Sequence, residues 1–346
     1  MAATAVPRTM IPVDIVHAKS RRNSSIAPAS RRASHRRVGG CSLDRNNNND
    51  LRRKSKMLCA DDSLHANEKI YTHCDSIRKL TSRSSFHKFY EVGKLIGQGN
   101  FSDVFLVSSQ ESSRKYAVKE IDKNRMFGKL YFVENEISIL KRCDHRHICK
   151  LVDAFECTNS YFLVFEFASK GDLFEMIKKF GRLNEQASAK IVYQIASAIS
   201  YLHSKNVVHR DIKPENILLN NEYSVKLTDF GLACVVTGPL YRICGTPTYV
   251  APEILSKEGY GLEVDVWSLG ILLHIMLVGF APFRSADRSQ LFRLIMKAHV
   301  SFDLPNWHRV SSKAKQLILR LVTPDVENRL TVDEVISDPW IQTILN

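Results

Sequence analysis

Hydrophobic and polar residues alternate in three stretches between positions 90 and 121, which is the pattern of half-buried β-strands. These stretches are residues 90–96, the return strand that opens in the loop at residues 97–104, and residues 115–121. Residues 161–167 are almost continuously apolar, which predicts a strand buried on both faces. We therefore predict a small β-sheet in this part of the chain.

Helical periodicity first appears between these strands and then dominates the second half of the chain. Residues 130–142 and 184–203 have this period, and Asn184 is a favourable N-cap for the longer helix. Residues 264–278 predict a buried helix, and residues 331–334 form a capping box that opens the last helix. Strands are therefore expected mainly before residue 167, and helices mainly after it.

The net charge of the chain is concentrated at its N-terminal end. Residues 1–88 contain eighteen Lys and Arg against seven Asp and Glu, whereas residues 89–346 contain thirty-one against twenty-nine. Residues 1–85 are also rich in Ser and Asn and poor in aromatic residues, so they cannot bury enough apolar surface to offset the entropy of ordering. We predict that residues 1–85 form a disordered basic tail.

Basic clusters in this tail suggest an acidic partner. The clusters are Arg21-Arg22, Arg31-Arg32, Arg36-Arg37 and Arg52-Arg53-Lys54. They fit tubulin tails, nucleic acid, an anionic membrane or a nuclear address, and a merely solvated tail is the alternative. The eight cysteines lack zinc-site spacing, which indicates reduced thiols, and the amphipathic pattern of a transit peptide is absent. We expect a cytoplasmic protein, with nuclear or cytoskeleton-associated localisation as alternatives.

Side chains of the types needed for phosphoryl transfer are concentrated in two nearby motifs. The motifs are His209-Arg210-Asp211-Ile212-Lys213-Pro214-Glu215-Asn216 and Thr228-Asp229-Phe230-Gly231. A carboxylate such as Asp211 can accept the proton of an incoming hydroxyl, and a cation such as Lys213 can steady the transferring phosphate. Asn216 and Asp229 offer the hard oxygen ligands that Mg²⁺ prefers. Each residue alone is an ordinary turn residue, but chance explains the whole pattern poorly.

The two motifs resemble the catalytic loop and the metal motif of eukaryotic protein kinases. The resemblance implies an α+β, two-lobed protein kinase fold, with a small β-rich N-lobe and a larger helical C-lobe that follow the basic tail. It covers residues 89–341, with the N-lobe at about residues 89–166 and the C-lobe at about residues 169–341. It also implies ATP and Mg²⁺ as cofactors, catalytic roles for Asp211, Lys213 and Asn216, and metal binding by Asn216 and Asp229.

The same resemblance implies a set of nucleotide-binding residues. The glycine-rich loop is expected to cover the nucleotide, and Lys119 to hold its phosphates with Glu136 as the ion-pair partner. The expected set is Ile96, Gly97, Gln98, Gly99, Asn100, Phe101, Ser102, Asp103, Val104, Ala117, Lys119, Glu136, and the backbone of Glu166 and Ala168. Ser102 stands where the family usually has a third glycine, and several active kinases tolerate a small residue there.

Three structural contacts are also implied by the resemblance. Thr246 is expected to form a hydrogen bond near Asp211. Asp265 is expected to cap the backbone of the catalytic loop. Glu253 and Arg329 are expected to form a buried ion pair that fixes the large lobe.

The sequence of the activation segment, residues 229–253, indicates which group of protein kinases this chain resembles. Its sequence Cys244-Gly245-Thr246-Pro247-Thr248-Tyr249-Val250 and the later Val264-Asp265-Val266-Trp267 resemble the doublecortin-like kinases of the calcium/calmodulin-dependent group. Lys213 favours Ser and Thr over Tyr as the phosphorylated residue. Asp172, where related kinases read Arg three residues before the target, and Glu215 together predict Arg-x-x-Ser/Thr sites in protein substrates. No calmodulin-binding site is expected in this chain.

Two functions are compatible with these residues. The first is a serine/threonine protein kinase that uses ATP. The second is a catalytically weak kinase-fold scaffold that binds acidic partners through its basic tail. Lys119, Asp211, Asn216 and Asp229 are all intact, which favours the enzyme.

Overall fold

The computed structural model describes residues 68–69, 77–99, 101–126, 128–220 and 223–346. The prediction for Asn100 lies outside these residues. The predictions for the basic tail, apart from residues 68–69 and 77–85, also lie outside them. Within them the strands are β1 Glu68–Lys69, β2 Arg78–Lys79, β3 Tyr90–Gln98, β4 Ser102–Ser109, β5 Lys115–Asp122, β6 Leu151–Glu156, β7 Ser160–Glu166, β8 Val207–Val208, β9 Ile217–Leu219, β10 Val225–Leu227 and β11 Cys234–Val236.

The helices follow mainly after the strands, as expected. They are α1 Lys123–Met126, α2 Leu130–Lys141, α3 Leu173–Phe180, α4 Glu185–His203, α5 Pro252–Ser256, α6 Glu263–Val278, α7 Arg288–Lys297, α8 Ser312–Leu321, α9 Val332–Ile336 and α10 Pro339–Leu345. Short 3₁₀ turns lie at Arg83–Lys88, Pro214–Asn216, Pro247–Tyr249 and Pro305–Arg309. No helix in the described part of the chain is long and apolar enough to cross a lipid bilayer.

Six strands form the sheet of the N-lobe, in the order β2-β6-β7-β5-β4-β3. β2 runs parallel to β6, and all other neighbours are antiparallel. β7 lies in the middle of this sheet and is buried on both faces, as its apolar run predicts. The sheet ends at the connection into the helical C-lobe, so the two-lobed α+β fold is confirmed.

Helix α6 is the centre of the C-lobe. Every residue from Val264 to Val278 is buried, and α4 and α8 pack against this helix. Gly270 permits the close approach of α8, because a Cβ at this position would lie 2.7 Å from the Cβ of Leu321. The buried helix that the sequence predicts is therefore present, and its central position makes it a rigid support for the loops around it.

Two predicted helix starts are also confirmed. The Asn184 side chain accepts a hydrogen bond from the Ala187 N–H at 2.8 Å and caps α4. At the start of α9, Thr331 and Glu334 form the reciprocal bonds of a capping box. Such caps satisfy N–H groups that have no partner inside the helix.

Regular structure begins earlier in the chain than the sequence predicts. The Leu80 N–H donates to the Glu156 carbonyl at 2.7 Å and extends the pairing of β2 with β6. Phe86 is fully buried, with its ring centroid 5.4 Å from that of Phe155 and 4.7 Å from that of Phe162. A single aromatic residue in a polar run produces no periodic pattern, so the sequence gives no sign of this packing. The domain bounds themselves stay a prediction.

Two smaller sheets belong to the C-lobe side of the fold. β1, β11 and β8 form an antiparallel sheet in which Glu68 lies opposite Val236. β9 and β10 form an antiparallel hairpin in which Ile217 lies opposite Leu227. Because this hairpin joins the two sequence motifs, it brings their side chains to the same end.

Candidate active site

The β9–β10 hairpin brings the two motifs together. Asn216 immediately precedes β9 and Thr228 immediately follows β10, and the Thr228 N–H donates to the Asn216 carbonyl at 2.9 Å. Asp229 is the next residue. The two side chains that the sequence predicts as metal ligands therefore start from adjacent positions at one end of a hairpin.

Asp211 is held by three side chains. Its Oδ1 accepts from the Thr246 hydroxyl at 2.7 Å and from the Thr246 N–H at 3.2 Å. Its Oδ2 lies 2.7 Å from the Lys213 Nζ and 3.0 Å from the Asn216 Nδ2. Lys213 also donates to the Thr246 hydroxyl at 2.8 Å, so these four residues form one network. The predicted contact between Thr246 and Asp211 is confirmed.

Helix α6 fixes the backbone of the catalytic loop through the side chain of Asp265. The Asp265 carboxylate accepts from the N–H groups of His209 and Arg210, both at 2.9 Å. Arg210 has φ = 68°, a left-handed conformation that is uncommon for a residue with a side chain. Such a conformation persists when its surroundings hold it. The predicted capping by Asp265 is thus present, and it sets the direction in which Asp211 projects.

Lys119 joins the N-lobe to the second motif. Its Nζ lies 3.0 Å from the Glu136 Oε1 and 3.0 Å from the Asp229 Oδ1. Glu136 projects from α2 and is buried, whereas the Asp229 side chain is 48% exposed. The predicted ion pair between Lys119 and Glu136 is therefore present, and Asp229 shares the same cation.

These charges determine the protonation states at the site. The charge of Lys119 lowers the pKa of Asp229 to about 2, although burial acts in the opposite direction. Burial alone would lower the pKa of Lys119, but the charges of Asp229 and Glu136 outweigh it and raise the pKa above its ordinary value. At neutral pH Lys119 is therefore a cation and Asp229 a carboxylate.

The glycine-rich loop is the turn between β3 and β4. The Gly99 N–H donates to the Ser102 carbonyl at 2.7 Å, which closes the turn. Ile96 and Phe101 are 40% and 43% exposed although they are apolar. The predicted loop residues Ile96, Gly97, Gln98 and Gly99 lie at the end of β3 and beyond it, Phe101 lies in the turn, and Ser102, Asp103 and Val104 open β4.

The remaining predicted nucleotide residues lie on the neighbouring strands. In the β4–β5 pairing Val104 is opposite Lys119, and in the β5–β7 pairing Ala117 is opposite Phe165. Glu166 is the last residue of β7, and Ala168 follows it in the connection to the C-lobe. Sheet pairing therefore places these residues around Lys119, on one side of the cleft.

The donor set fits Mg²⁺ and a nucleotide phosphate. Both hydrogen bonds that Asn216 donates through Nδ2 go to Asp211, which leaves its amide oxygen as the ligand atom. Asp229 is ionised and half exposed, and it contributes the second hard oxygen. Lys119 supplies a cation beside them. Asn216 and Asp229 would hold the metal, and Lys119 would contact the phosphates.

The sequence did not reveal some residues that hold the site. The His209 ring packs edge-on against Phe230 with centroids 4.8 Å apart, and its Nε2 lies 3.1 Å from the Thr228 carbonyl. Tyr260 donates its hydroxyl to the Arg242 carbonyl at 2.6 Å. No periodic pattern marks contacts of this kind.

The predicted ion pair of the large lobe is also present. Arg329 Nη1 and Nη2 lie 2.5 Å and 2.9 Å from the two Glu253 carboxylate oxygens, and both side chains are almost fully buried. This bidentate pair fixes the end of the activation segment. The segment is thus held at Thr246 in its second half and at Glu253 at its end.

Fold and site together define a protein kinase. The family described as "Protein kinase domain" matches residues 90–341 of this chain. The chain therefore belongs to the protein kinase family.

Its similar relatives are serine/threonine kinases. The serine/threonine-protein kinase DCLK2 of Rattus norvegicus is 46% identical over 258 residues, which cover 73% of this chain and 34% of the relative. DCLK1 of Rattus norvegicus is 44% identical over 73% of this chain and 60% of its own length. DCLK3 of Homo sapiens is 42% identical over 75% of this chain and 41% of its own length. The chain thus spans about a third of the length of the first of these relatives. The resemblance to the doublecortin-like kinases that the sequence indicates is confirmed.

Proposed function

We propose that this protein is an active serine/threonine protein kinase that transfers the γ-phosphoryl group of ATP to proteins with Mg²⁺. The observation that carries this proposal is the assembled network at Asp211. Its carboxylate is held by Thr246, Lys213 and Asn216, all within 3.2 Å. A positioned carboxylate with a cation beside it, here Lys213 at 2.7 Å, is what phosphoryl transfer requires of a protein.

In the proposed reaction Asp211 orients the substrate hydroxyl and accepts its proton. The hydroxyl oxygen bonds to the γ-phosphorus while the bond from that phosphorus to the bridging oxygen breaks, which leaves ADP. Lys213 and Lys119 stabilise negative charge on the phosphate oxygens. When bound by Asn216 and Asp229, Mg²⁺ supplies further neutralisation of the phosphate charge.

We further propose that the substrates carry Arg three residues before the target Ser or Thr. Asp172 lies next to β9 through a bridge to Leu218, and its Oδ1 accepts from the Glu175 N–H at 2.9 Å. Burial raises the pKa of Glu215, and the negative charges of Asp211 and Asp172 add to this effect. Burial also raises the pKa of Asp172. Two carboxylates, one of which raises the pKa of the other, favour a bound cation between them, and a guanidinium can bridge them.

A peptide assay tests both parts of the proposal. The wild-type chain should phosphorylate an Arg-x-x-Ser peptide and prefer it to the Ala-x-x-Ser peptide. Asp172→Asn keeps a residue suited to the N-cap and should remove most of this preference. Glu175→Gln, on the exposed first turn of α3, is the matched control and should keep it. Equal rates with both peptides in the wild type would refute the substrate preference, and no phosphorylation of either would refute the enzyme.

The basic tail contains its own candidate substrates. Arg-x-x-Ser occurs at Arg21–Ser24, Arg22–Ser25, Arg31–Ser34 and Arg52–Ser55. We propose that the kinase phosphorylates these serines and that the unmodified tail binds a polyanionic partner in the cytoplasm or nucleus or on the cytoskeleton. Each phosphate adds about −1.5 to −2 charges, so a few phosphates weaken such binding. Mass spectrometry after incubation with ATP should find tail phosphate in the wild type and not in Asp211→Asn.

The partner of the tail is tested separately. Binding to tubulin, nucleic acid and anionic vesicles is measured over a range of salt concentrations. Binding driven by the tail should fall steeply with salt and disappear when residues 1–76 are deleted. Binding that survives this deletion would contradict a role for the tail.

A further inference from the structure

Arg242, in the activation segment, contacts helix α2 of the N-lobe. Its guanidinium carbon lies 4.3 Å from the centroid of the Phe132 ring. Phe132 lies in the first turn of α2 and its ring also contacts that of Tyr131. A guanidinium at this distance from an aromatic face is attracted by the electron density of the ring. The contact spans the cleft between two elements that are separated by about a hundred residues in sequence.

Arg242 is partly buried. The Arg242 Nη1 is buried and has no hydrogen-bond acceptor among the described residues. Burying a charged donor without an acceptor is costly. The attraction between the guanidinium and the ring face offsets part of this cost. This attraction depends on the positive charge, so a neutral side chain of the same size cannot supply it.

Phe132 lies on the same helix as Glu136 of the ion pair. Glu136 follows it by four residues in α2, so the two side chains lie on the same face of the helix. Asn135 makes a second contact with the segment, donating to the Ala233 carbonyl at 2.8 Å. The rotation of α2 about its axis decides whether Glu136 reaches Lys119, and both contacts limit that rotation.

The other end of the connection is the catalytic loop. The Tyr260 hydroxyl donates to the Arg242 carbonyl at 2.6 Å and accepts from the Arg210 Nη1 at 3.2 Å. Leu240 and Tyr260 also exchange two backbone hydrogen bonds, at 2.8 Å and 2.9 Å. Arg210 immediately precedes Asp211. Arg242 is therefore fixed with respect to the catalytic aspartate before its side chain reaches α2.

We propose that Arg242 is a positioning residue, whose guanidinium, stacked on Phe132, couples the activation segment to α2 and holds Glu136 on Lys119 without a phosphate on the segment. This inference rests on the proposed kinase activity. The contacts that carry it are a ring face, a tyrosine hydroxyl and backbone groups. None of them needs a modified residue, so the unphosphorylated chain has a complete ion pair.

Single substitutions separate the charge of Arg242 from its bulk. Arg242→Gln removes the cation, and kcat/KM for ATP should fall about tenfold. Arg242→Lys keeps a cation and should retain most of the wild-type value. Phe132→Leu keeps an apolar side chain but removes the ring. Its kcat/KM for ATP should fall as far as that of Arg242→Gln. In the double variant Arg242→Gln/Phe132→Leu, kcat/KM for ATP should fall no further than in either single variant, because both substitutions remove the same contact.

Arg284→Gln is the matched control. The Arg284 guanidinium also lies 4.3 Å from a ring centroid, that of Phe280, but at a position away from α2. This variant should keep the wild-type kcat/KM for ATP. All proteins are treated with phosphatase beforehand, and mass spectrometry establishes that the activation segment carries no phosphate.

Several outcomes would overturn the proposal. One is an equal loss of kcat/KM in Arg242→Gln and Arg242→Lys, and another is an unchanged kcat/KM in Arg242→Gln. A third is a loss in the double variant that equals the product of the two single losses. The last is wild-type activity that appears only after phosphorylation of the activation segment. Each would show that the charge–ring contact does not hold the site.

Hydrogen exchange distinguishes failure of this inference from failure of the proposed function. Faster exchange of the α2 amides in Arg242→Gln, but not in Arg242→Lys or Arg284→Gln, would support the coupling even if the wild type transferred no phosphate. Unchanged α2 exchange in Arg242→Gln would refute the coupling whatever the activity. A folded wild type with protected α2 and no phosphotransfer would refute only the proposed function.

Discussion

The catalytic loop and the glycine-rich loop are held by the fold in very different ways. In the catalytic loop His209, Arg210, Asp211 and Asn216 are all buried, and Asp265 binds the backbone from a central helix. In the glycine-rich loop the apolar side chain of Phe101 is exposed, and the described backbone bonds are those from the Gly99 N–H to the Ser102 carbonyl and from the Asp122 N–H to the Phe101 carbonyl. Under the proposed function, the groups that act on the reacting atoms are thus fixed before a substrate arrives, whereas we expect the groups of the glycine-rich loop to gain contacts from the nucleotide.

The largest effect should come from the carboxylate at the centre of the fixed loop. Asp211→Asn keeps the shape of the side chain and can still accept from Thr246, so the fold should remain intact. It cannot accept the substrate proton, and kcat should fall by about 10²–10⁴-fold. Phosphorylation of an Arg-x-x-Ser peptide measures this loss, and thermal unfolding measures the fold. Asp303→Asn, at an exposed position, is the control; a rate near wild type in Asp211→Asn would refute the role of Asp211.

A second substitution tests whether the ion pair across the cleft serves catalysis or stability. Lys119→Met leaves the carboxylate of Glu136 buried without its partner, and about 3–5 kcal/mol of unfolding free energy should be lost. The rate should fall by about 10²–10³-fold, because a charge near the phosphates is lost.

The double variant Lys119→Met/Glu136→Leu separates the two effects. Replacing both partners with apolar side chains removes the unpaired charge, so most of the stability should return. The rate should stay as low as in Lys119→Met. Recovery of the rate together with the stability would mean that Lys119 acts only through the fold. Urea unfolding and the peptide assay on the same samples provide both measurements.

The third prediction concerns the residue that supports the catalytic loop from α6. Asp265→Asn should lower kcat by about tenfold and the unfolding free energy by about 2–3 kcal/mol, because a buried charge-assisted hydrogen bond is lost. Thermal unfolding and the peptide assay measure these losses. A variant with wild-type kcat would show that Asp211 keeps its position without this support.

The stability loss in Asp265→Asn should depend on pH. Burial alone would raise the pKa of Asp265, but hydrogen bonds from His203 and the His209 backbone lower it below its ordinary value. A lowered folded-state pKa contributes stability above the unfolded-state pKa, about 3.9, and this contribution is lost as the pH falls through the folded-state value. The wild type and Asp265→Asn should therefore differ at pH 7 and converge at acid pH. A difference that persists unchanged at pH 3 would contradict this account.

The sequence predicts the parts of this protein that depend on local patterns. The strands around Lys119, the cap at Asn184 and the order of residues in the catalytic loop all depend on neighbours a few positions away. Contacts between distant residues were predicted only where the family resemblance implied them, as for Thr246 with Asp211 and Arg329 with Glu253. Other contacts of this kind were not predicted. Phe86 is buried only because Phe155 and Phe162 lie beneath it, and Arg242 acquires its role only from Phe132. Such contacts join segments far apart in sequence, and neither periodicity nor a motif marks them.

The smallest effect should come from the tip of the glycine-rich loop. Phe101 is exposed, and its only aromatic or cation contact among the described residues is the Lys129 Nζ, 5.9 Å from the ring centroid. Phe101→Ala should therefore change the unfolding free energy by no more than about 0.5 kcal/mol. If the loop contacts the nucleotide before and during transfer alike, as the proposed function requires, KM for ATP should rise a few-fold while kcat stays the same. Phe180→Ala, at an exposed position on α3, is the control and should change neither constant. A fall in kcat in Phe101→Ala as large as that in Asp265→Asn would mean that the glycine-rich loop is positioned as firmly as the catalytic loop, and the contrast between the two loops would not hold.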